Sequence, residues 1–126
     1  MIESSRPSNS AAPAIAIAVL ETAAHVDDSG LPLNRYLVRI DVPDRVWSAR
    51  HVMDVSKLPA TWAAIPAGRV SIQAGADWLR GMTAAILEVP SVIVPEESNL
   101  LINPAHADVT LLRAAVARQF IYDPRL

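Results

Sequence analysis

Cysteine is absent from the 126-residue sequence. This excludes disulfide bonds, thiol catalysis and metal sites built from cysteine, and it is compatible with a cytoplasmic protein. The net charge is only −2, so charge gives no reason to expect nucleic acid or an anionic membrane as a direct partner. No apolar run approaches the roughly 18 residues of a membrane span. The first residues also lack the basic-then-apolar order of a signal peptide.

Several motifs of well-known enzyme classes are missing too. There is no Gly-x-Gly-x-x-Gly after a predicted strand, so a dinucleotide-binding fold of that type is not indicated. A Gly-x-Ser-x-Gly elbow is also missing, which disfavours a serine hydrolase. The three histidines, His25, His51 and His106, are scattered. Glu21 and His25 are one helical turn apart, but such a pair is weak evidence for a metal site without further ligands, and we expect none.

What the sequence does contain indicates one compact domain. Hydrophobic residues make up 52% of the chain, enough to bury a core. Predicted strands and helices do not alternate regularly, so we expect an α+β fold with a mixed sheet and flanking helices. We expect residues 1–14 to be a partly disordered leader and residues 15–126 to be the domain. The patterns predict helices over 11–25, 58–65 and 72–80, and strands over 34–42, 84–94, 99–102 and 117–122.

The most informative stretch is the apolar run that contains Ser91. Pro90 and Pro95 bracket most of this run, and proline favours extended chain over helix. Side chains on both faces of the run are apolar, which predicts a strand buried on both sides. A buried hydroxyl needs a hydrogen-bond partner. Ser91 is therefore either a core serine bonded to a backbone carbonyl or a functional group that faces a pocket.

A second polar group in apolar surroundings is Glu21. It follows residues 14–20, which are apolar on every side of the predicted helix. Burying an unpaired carboxylate would cost several kcal/mol. Glu21 could therefore pair with His25 or an arginine, lie at the exposed end of the helix, or serve as a catalytic carboxylate. The residues alone leave these interpretations open.

Taken together, the motifs resemble those of the RES domain family, the toxins of Xre–RES toxin–antitoxin pairs. The central match is Val-Pro-Ser-Val-Ile-Val-Pro-Glu-Glu-Ser-Asn-Leu-Leu-Ile-Asn-Pro-Ala-His at residues 89–106. Residues 18–25, Ala-Val-Leu-Glu-Thr-Ala-Ala-His, resemble the segment that carries the family glutamate. Further matches, in the expected order, are Ser71, Gln73, Gly75, Trp78, Leu79 and the ending at 120–126.

The resemblance implies a fold like that of the ADP-ribosyltransferases and breakdown of NAD. The nicotinamide–ribose bond would be cleaved, with water or phosphate as acceptor; NAD would be the substrate and no cofactor would be needed. Glu21 and Ser91 would be the catalytic residues, with Asn99 and His25 in substrate binding. We expect the two catalytic groups to meet across one cavity large enough for a nucleotide. An Xre-type antitoxin would be the partner that covers this pocket, and a homo-oligomer is allowed.

Departures from the family pattern limit this expectation. The family arginine lies upstream of the glutamate helix, where this chain has only Arg6, in a context that does not match. Leu100 stands where a tyrosine is common, and Ala107 stands where a proline is common. We therefore expect an N-terminally shortened family member. The alternative is a catalytically inactive remnant that keeps only a role in binding the antitoxin.

Overall fold

The computed structural model of the chain describes residues 9–24, 35–57 and 69–125. The predicted helix over 58–65 lies outside these ranges. No helix in the described part of the chain is long and apolar enough to cross a membrane. Short 3-10 turns occupy Val55–Lys57 and Ala107–Leu111. The helices are α1 (Ile15–Ala24), α2 (Asp44–Ser48) and α3 (Arg69–Gly81), and the strands are β1 (Asn9–Ala11), β2 (Arg35–Asp41), β3 (His51–Val52), β4 (Ile86–Pro90), β5 (Ser98–Ile102) and β6 (Arg113–Phe120).

The strands within the described ranges form two sheets. Four of them make a mixed sheet in the order β1-β5-β4-β3. β5 runs antiparallel to β1 and β4, whereas β3 runs parallel to β4. β2 and β6 form a separate antiparallel pair whose register shifts between Leu37 and Val38. This mixed architecture with helices beside it confirms the α+β prediction.

The core centres on β4, whose first residues are buried on both faces. Ile86 and Leu87 are consecutive and both fully buried, and consecutive strand residues point to opposite faces. On the Ile86 side, Leu100 and Ile102 of β5 pack against Val46 of α2. β4 and β5 are therefore held rigidly, and the loop that joins them starts from a fixed position.

The predicted strand over 84–94 is too long at its end. β4 stops at Pro90, and Val92 and Ile93 are 47% and 41% exposed. The prediction that this stretch is strand is therefore wrong beyond Pro90, and the prediction that it is buried on both faces is wrong beyond Ser91. The chain turns at Ser91, because its hydroxyl oxygen accepts hydrogen bonds from nearby backbone N–H groups. Serine competes with the sheet ladder in this way at strand ends.

In the N-terminal part of the described chain, helix α1 starts later than predicted. Residues 9–11 form β1, which pairs with Leu100–Ile102 of β5, so α1 begins at Ile15 instead of residue 11. The backbone groups of these residues gain partners from the edge of β5, and this pairing overrides the helix preference of alanine. Part of the stretch expected to be a leader, residues 9–11, is thereby joined to the sheet.

Asn103 connects three elements through its side chain and backbone. It is 2% exposed, and its Nδ2 donates to the carbonyl oxygen of Leu79 at 3.0 Å. Its Oδ1 accepts from the Ala105 N–H at 3.1 Å, and its own N–H donates to the Ala85 carbonyl at 2.8 Å. Asn103 therefore satisfies a carbonyl at the end of α3, a position where helices leave such groups without intrahelical partners.

Replacing Asn103 with alanine should lower the free energy of unfolding by about 1–2 kcal/mol, because its side-chain hydrogen bonds, including those with Leu79 and Ala105, are lost at a buried position. Equilibrium unfolding in urea measures this difference. Gln119→Ala is the control, since Gln119 is exposed on β6. Equal stability of the two variants would contradict the role assigned to Asn103.

Candidate active site

Three elements bring the candidate residues to one place. Glu21 lies near the end of α1, Ser91 directly follows β4, and Asn99 is the second residue of β5. Because β4 and β5 are antiparallel neighbours, with Val89 paired to Asn99, Ser91 and Asn99 lie at the same end of the hairpin. The last turns of α1 contact this end of the hairpin through Glu21.

One oxygen of Glu21 is the centre of the cluster. Oε1 accepts a hydrogen bond from Ser91 Oγ at 2.6 Å and a second from Asn99 Nδ2 at 2.6 Å. The distance from the hydroxyl is within the usual range for an O–H···O hydrogen bond, and the distance from the amide is short for an N–H···O hydrogen bond. A carboxylate only accepts, so it determines that the nitrogen end of the Asn99 amide faces it. The two donors hold the carboxyl group of Glu21 in one orientation.

The hydroxyl of Ser91 is fully occupied by hydrogen bonds. Its oxygen accepts from the N–H groups of Ile93 and Val94, each at 3.1 Å, while its proton goes to Glu21. A serine hydroxyl has one proton to donate and two acceptor positions, so none is left over. The Ser91 residue is 1% exposed. Its proton goes to a carboxylate and not to the backbone carbonyl that a core serine would use.

The turn after Ser91 is the part of the site that sequence reasoning missed. Besides the two N–H groups that hold the hydroxyl, the N–H of Ser91 donates to the Glu97 carbonyl at 2.8 Å. The N–H of Glu97 in turn donates to the Val94 carbonyl at 2.9 Å. The available signal was a serine followed within four residues by Pro95, a pattern that also suits a serine-initiated turn. The apolar residues between them favoured a strand instead.

The surroundings of Glu21 distinguish between the interpretations of this carboxylate. The residue is half-buried, so it is not a freely solvated carboxylate at an exposed helix end. Its contacts with Ser91 and Asn99 are with neutral donors. His25, which was expected to pair with Glu21 or to bind substrate, lies outside the described residues, as does Arg6. The geometry therefore places Glu21, Ser91 and Asn99 together, and the role of His25 stays a prediction.

A cavity of about 430 Å³ is lined by residues of α1, β2 and β5, among others. Its volume is within the range of roughly 300–1,000 Å³ that is usual for small-molecule pockets. Its walls include Ala18 of α1 and Leu100 of β5, whereas Glu21 and Ser91 do not line it. Glu21 and Ser91 touch each other directly. That these two groups face one cavity large enough for a nucleotide stays a prediction.

The side chains of the motif at the C-terminal end of the chain contact one another. The rings of Phe120 and Tyr122 meet edge to face with centroids 5.0 Å apart, and Tyr122 is buried. Asp123 accepts hydrogen bonds from Nε and from the backbone N–H of Arg125, each at 2.9 Å. The Arg125 side chain, and secondly its N–H, hold the pKa of the Asp123 carboxyl below its usual value. These contacts join the last described residues of the chain to one another.

Known toxins are similar to this chain over most of its length. The "Prs ADP-ribosylating toxin" of Sphingobium sp. (strain YBL2) is 53% identical over 116 residues, covering 92% of this chain and 72% of that protein. The "Toxin Res" of Yersinia enterocolitica is 34% identical over 116 residues, covering 91% of this chain and 74% of that protein. The "Toxin Res" of Photorhabdus laumondii is 33% identical over 103 residues, covering 82% and 64%.

The family match spans the whole candidate site. The model of the RES domain matches residues 11–123, a range that contains Glu21, Ser91 and Asn99 and all the described elements from α1 to β6. The resemblance found in the sequence motifs is thereby confirmed. The chain belongs to the RES domain family.

Proposed function

We propose that this protein is a RES-family toxin that breaks the nicotinamide–ribose bond of NAD, with Glu21 as its catalytic carboxylate. The observation that carries the proposal is the position of Glu21 Oε1, held by two donors at 2.6 Å on a half-buried side chain. A carboxylate fixed in this way keeps its negative charge in one place. Such preorganised charge is what a reaction with a developing positive charge requires.

The chemistry of the bond explains why a carboxylate serves it. When the glycosidic bond of NAD breaks, positive charge develops on the ribose, as in glycoside hydrolysis. A carboxylate beside the ribose stabilises this charge more in the transition state than in the ground state, and that difference lowers the barrier. The same group can accept a proton from the attacking nucleophile. In the proposal, Glu21 performs both tasks.

Ser91 has a different role in the proposal from the one first expected. Its hydroxyl uses all of its donor and acceptor positions within the protein, and the residue is 1% exposed. In the proposal this hydroxyl therefore neither attacks the substrate nor holds the ribose. Ser91 instead links the turn at 91–94 to Glu21 and orients the carboxylate, which is positioning in the sense of holding reacting groups in register.

The proposal includes three acceptors for the ADP-ribosyl group. Water would give hydrolysis, phosphate would give phosphorolysis, and a protein side chain would give ADP-ribosylation; all three begin with the same bond cleavage. The name of the Sphingobium relative, which is 53% identical, is the reason to include a protein acceptor. Because three relatives are named toxins, the proposal also includes a neutralising partner, an Xre-type antitoxin.

Incubation of the purified chain with NAD tests the proposal. Nicotinamide release, followed by liquid chromatography, reports bond cleavage whatever the acceptor. NAD labelled in the ADP-ribose part then distinguishes ADP-ribose, its phosphorylated form and protein-bound label. Background release in buffer, in phosphate and with added cell extract would reject the proposal. If such a chain still bound the antitoxin, the inactive-remnant alternative would be favoured.

A further inference from the structure

We infer that Asn99 is a positioning residue, whose side-chain amide holds the Glu21 carboxylate in the orientation that bond cleavage needs. It acts through Glu21 and does not hold the substrate. The catalytic part of this inference rests on the proposed function. The observation behind it is the hydrogen bond of 2.6 Å from Asn99 Nδ2 to Glu21 Oε1, between residues 78 positions apart in the chain.

The backbone that carries Asn99 is rigid. β5 lies between β1 and β4 in the mixed sheet, so it has a strand on each side along residues 100–102. Asn99 itself is paired with Val89 of β4. Pairing within a sheet restricts the backbone far more than a loop does. The amide is therefore presented from a fixed point, which a positioning group requires.

The second donor comes from a different kind of element. Ser91 reaches the same Oε1 from a turn, whereas Asn99 reaches it from a strand. A glutamate side chain has three rotatable bonds and loses considerable freedom when fixed. Two donors that converge on one oxygen from two elements restrict this freedom more than either donor does. Asn99 therefore adds a constraint to the one that Ser91 supplies.

The chemical type of residue 99 also suits this task. An amide donates without carrying a charge, so it fixes the carboxylate without neutralising it as a lysine or arginine would. An aspartate in its place would have nearly the same shape but, when ionised, no proton to donate. It would put a second negative charge beside Oε1. Asn99→Asp is therefore a nearly isosteric change that removes the hydrogen-bond donor at residue 99 and preserves the volume of the side chain.

Asn103, which directly follows the strand that carries Asn99, provides a matched control. It is also an asparagine with a bonded amide, but its Nδ2 donates to the backbone carbonyl of Leu79, away from Glu21. Variants at 103 should change stability, and variants at 99 should change the turnover of the folded protein. The comparison separates a structural role from a positioning role within one residue type.

The experiment measures kcat and KM for NAD, across pH, in Asn99→Asp, Asn99→Ala and Asn103→Asp. For both Asn99 variants we expect kcat at neutral pH to fall about tenfold to a hundredfold, with KM changed less than about threefold. Asn99→Asp should recover as the pH is lowered, because a protonated carboxyl group can donate to Oε1 as the amide did. Asn99→Ala should show no such recovery. Asn103→Asp should lower Tm and keep the pH profile of the native chain.

Three results would overturn the inference. A rise in KM at constant kcat would make Asn99 a substrate contact, and unchanged kinetics in both Asn99 variants would remove any role. Crystal structures of the native chain and of Asn99→Ala give a readout that needs no activity: the Glu21 carboxylate should be displaced or split between conformers in the variant. An unmoved Glu21 would overturn the inference even if the native chain releases no nicotinamide, a result that by itself rejects only the proposed function.

Discussion

Replacing Glu21 with glutamine should lower the rate of nicotinamide release by about a hundredfold to a thousandfold, the usual loss when one electrostatic group at a transition state is removed. Glutamine has nearly the same shape, and its carbonyl oxygen can still accept from Ser91 and Asn99. The fold should therefore persist while the negative charge is lost. Initial rates of nicotinamide release at saturating NAD measure the effect, and a thermal melt of each protein verifies folding.

Glu96→Gln is the matched control for this change. Glu96 is an exposed carboxylate in the loop between β4 and β5, so its neutralisation alters net charge equally without touching the cluster. Its rate should stay within about twofold of the native value, since exposed charges interact weakly with distant groups. If Glu21→Gln were as active as Glu96→Gln, Glu21 would not be the catalytic carboxylate.

Ser91→Ala should impair both activity and stability. The variant loses the hydrogen bond to Glu21 and leaves the N–H groups of Ile93 and Val94 without their acceptor. We expect the free energy of unfolding to fall by about 1–3 kcal/mol. The rate of nicotinamide release should fall about a hundredfold, because the carboxylate loses one of the hydrogen bonds that orient it. Urea unfolding and initial rates, measured on the same preparation, give the two quantities.

The pairing of these two effects distinguishes Ser91 from a substrate-binding residue. Ser98→Ala, a change of the same type in a half-buried serine of β5, should leave the rate of nicotinamide release unchanged. A group that only contacted the substrate would change KM and leave stability alone. Loss of activity in Ser91→Ala with stability equal to that of the native chain would therefore refute the assignment of its hydroxyl to the turn and to Glu21.

The sequence indicated the candidate residues through two different kinds of information. Burial arguments singled out Glu21 and Ser91 as polar groups in apolar stretches, yet they left structural and catalytic interpretations open for each. The order of the family motifs assigned them a shared function. No local pattern stated that Ser91 and Asn99 would donate to the same oxygen of Glu21, because hydrogen bonds between residues 70 and 78 positions apart depend on how helix and hairpin pack.

Two misplaced elements show where local patterns fail. The run after Pro90 is apolar and flanked by prolines, so it was predicted as strand, but the side-chain bonds of Ser91 make it a turn with Val92 and Ile93 exposed. The alanine-rich stretch from residue 11 predicts helix, but Ala11 belongs to β1, which pairs with β5, and α1 begins only at Ile15. In both cases a specific hydrogen-bond partner decided the structure, and propensity is too weak to compete with it.

The order of the amino acids by itself determined the RES family and the α+β class. It also indicated the few polar groups that lie in apolar stretches. These depend on composition, periodicity and motif spacing, which are properties of the chain itself. Packing in three dimensions decided that Glu21, Ser91 and Asn99 form one cluster, and that the Ser91 hydroxyl is occupied by its own turn and by Glu21. The reason is physical: a hydrogen bond of 2.6 Å needs two backbones placed to within a fraction of an ångström, and that placement results from burial of the whole core.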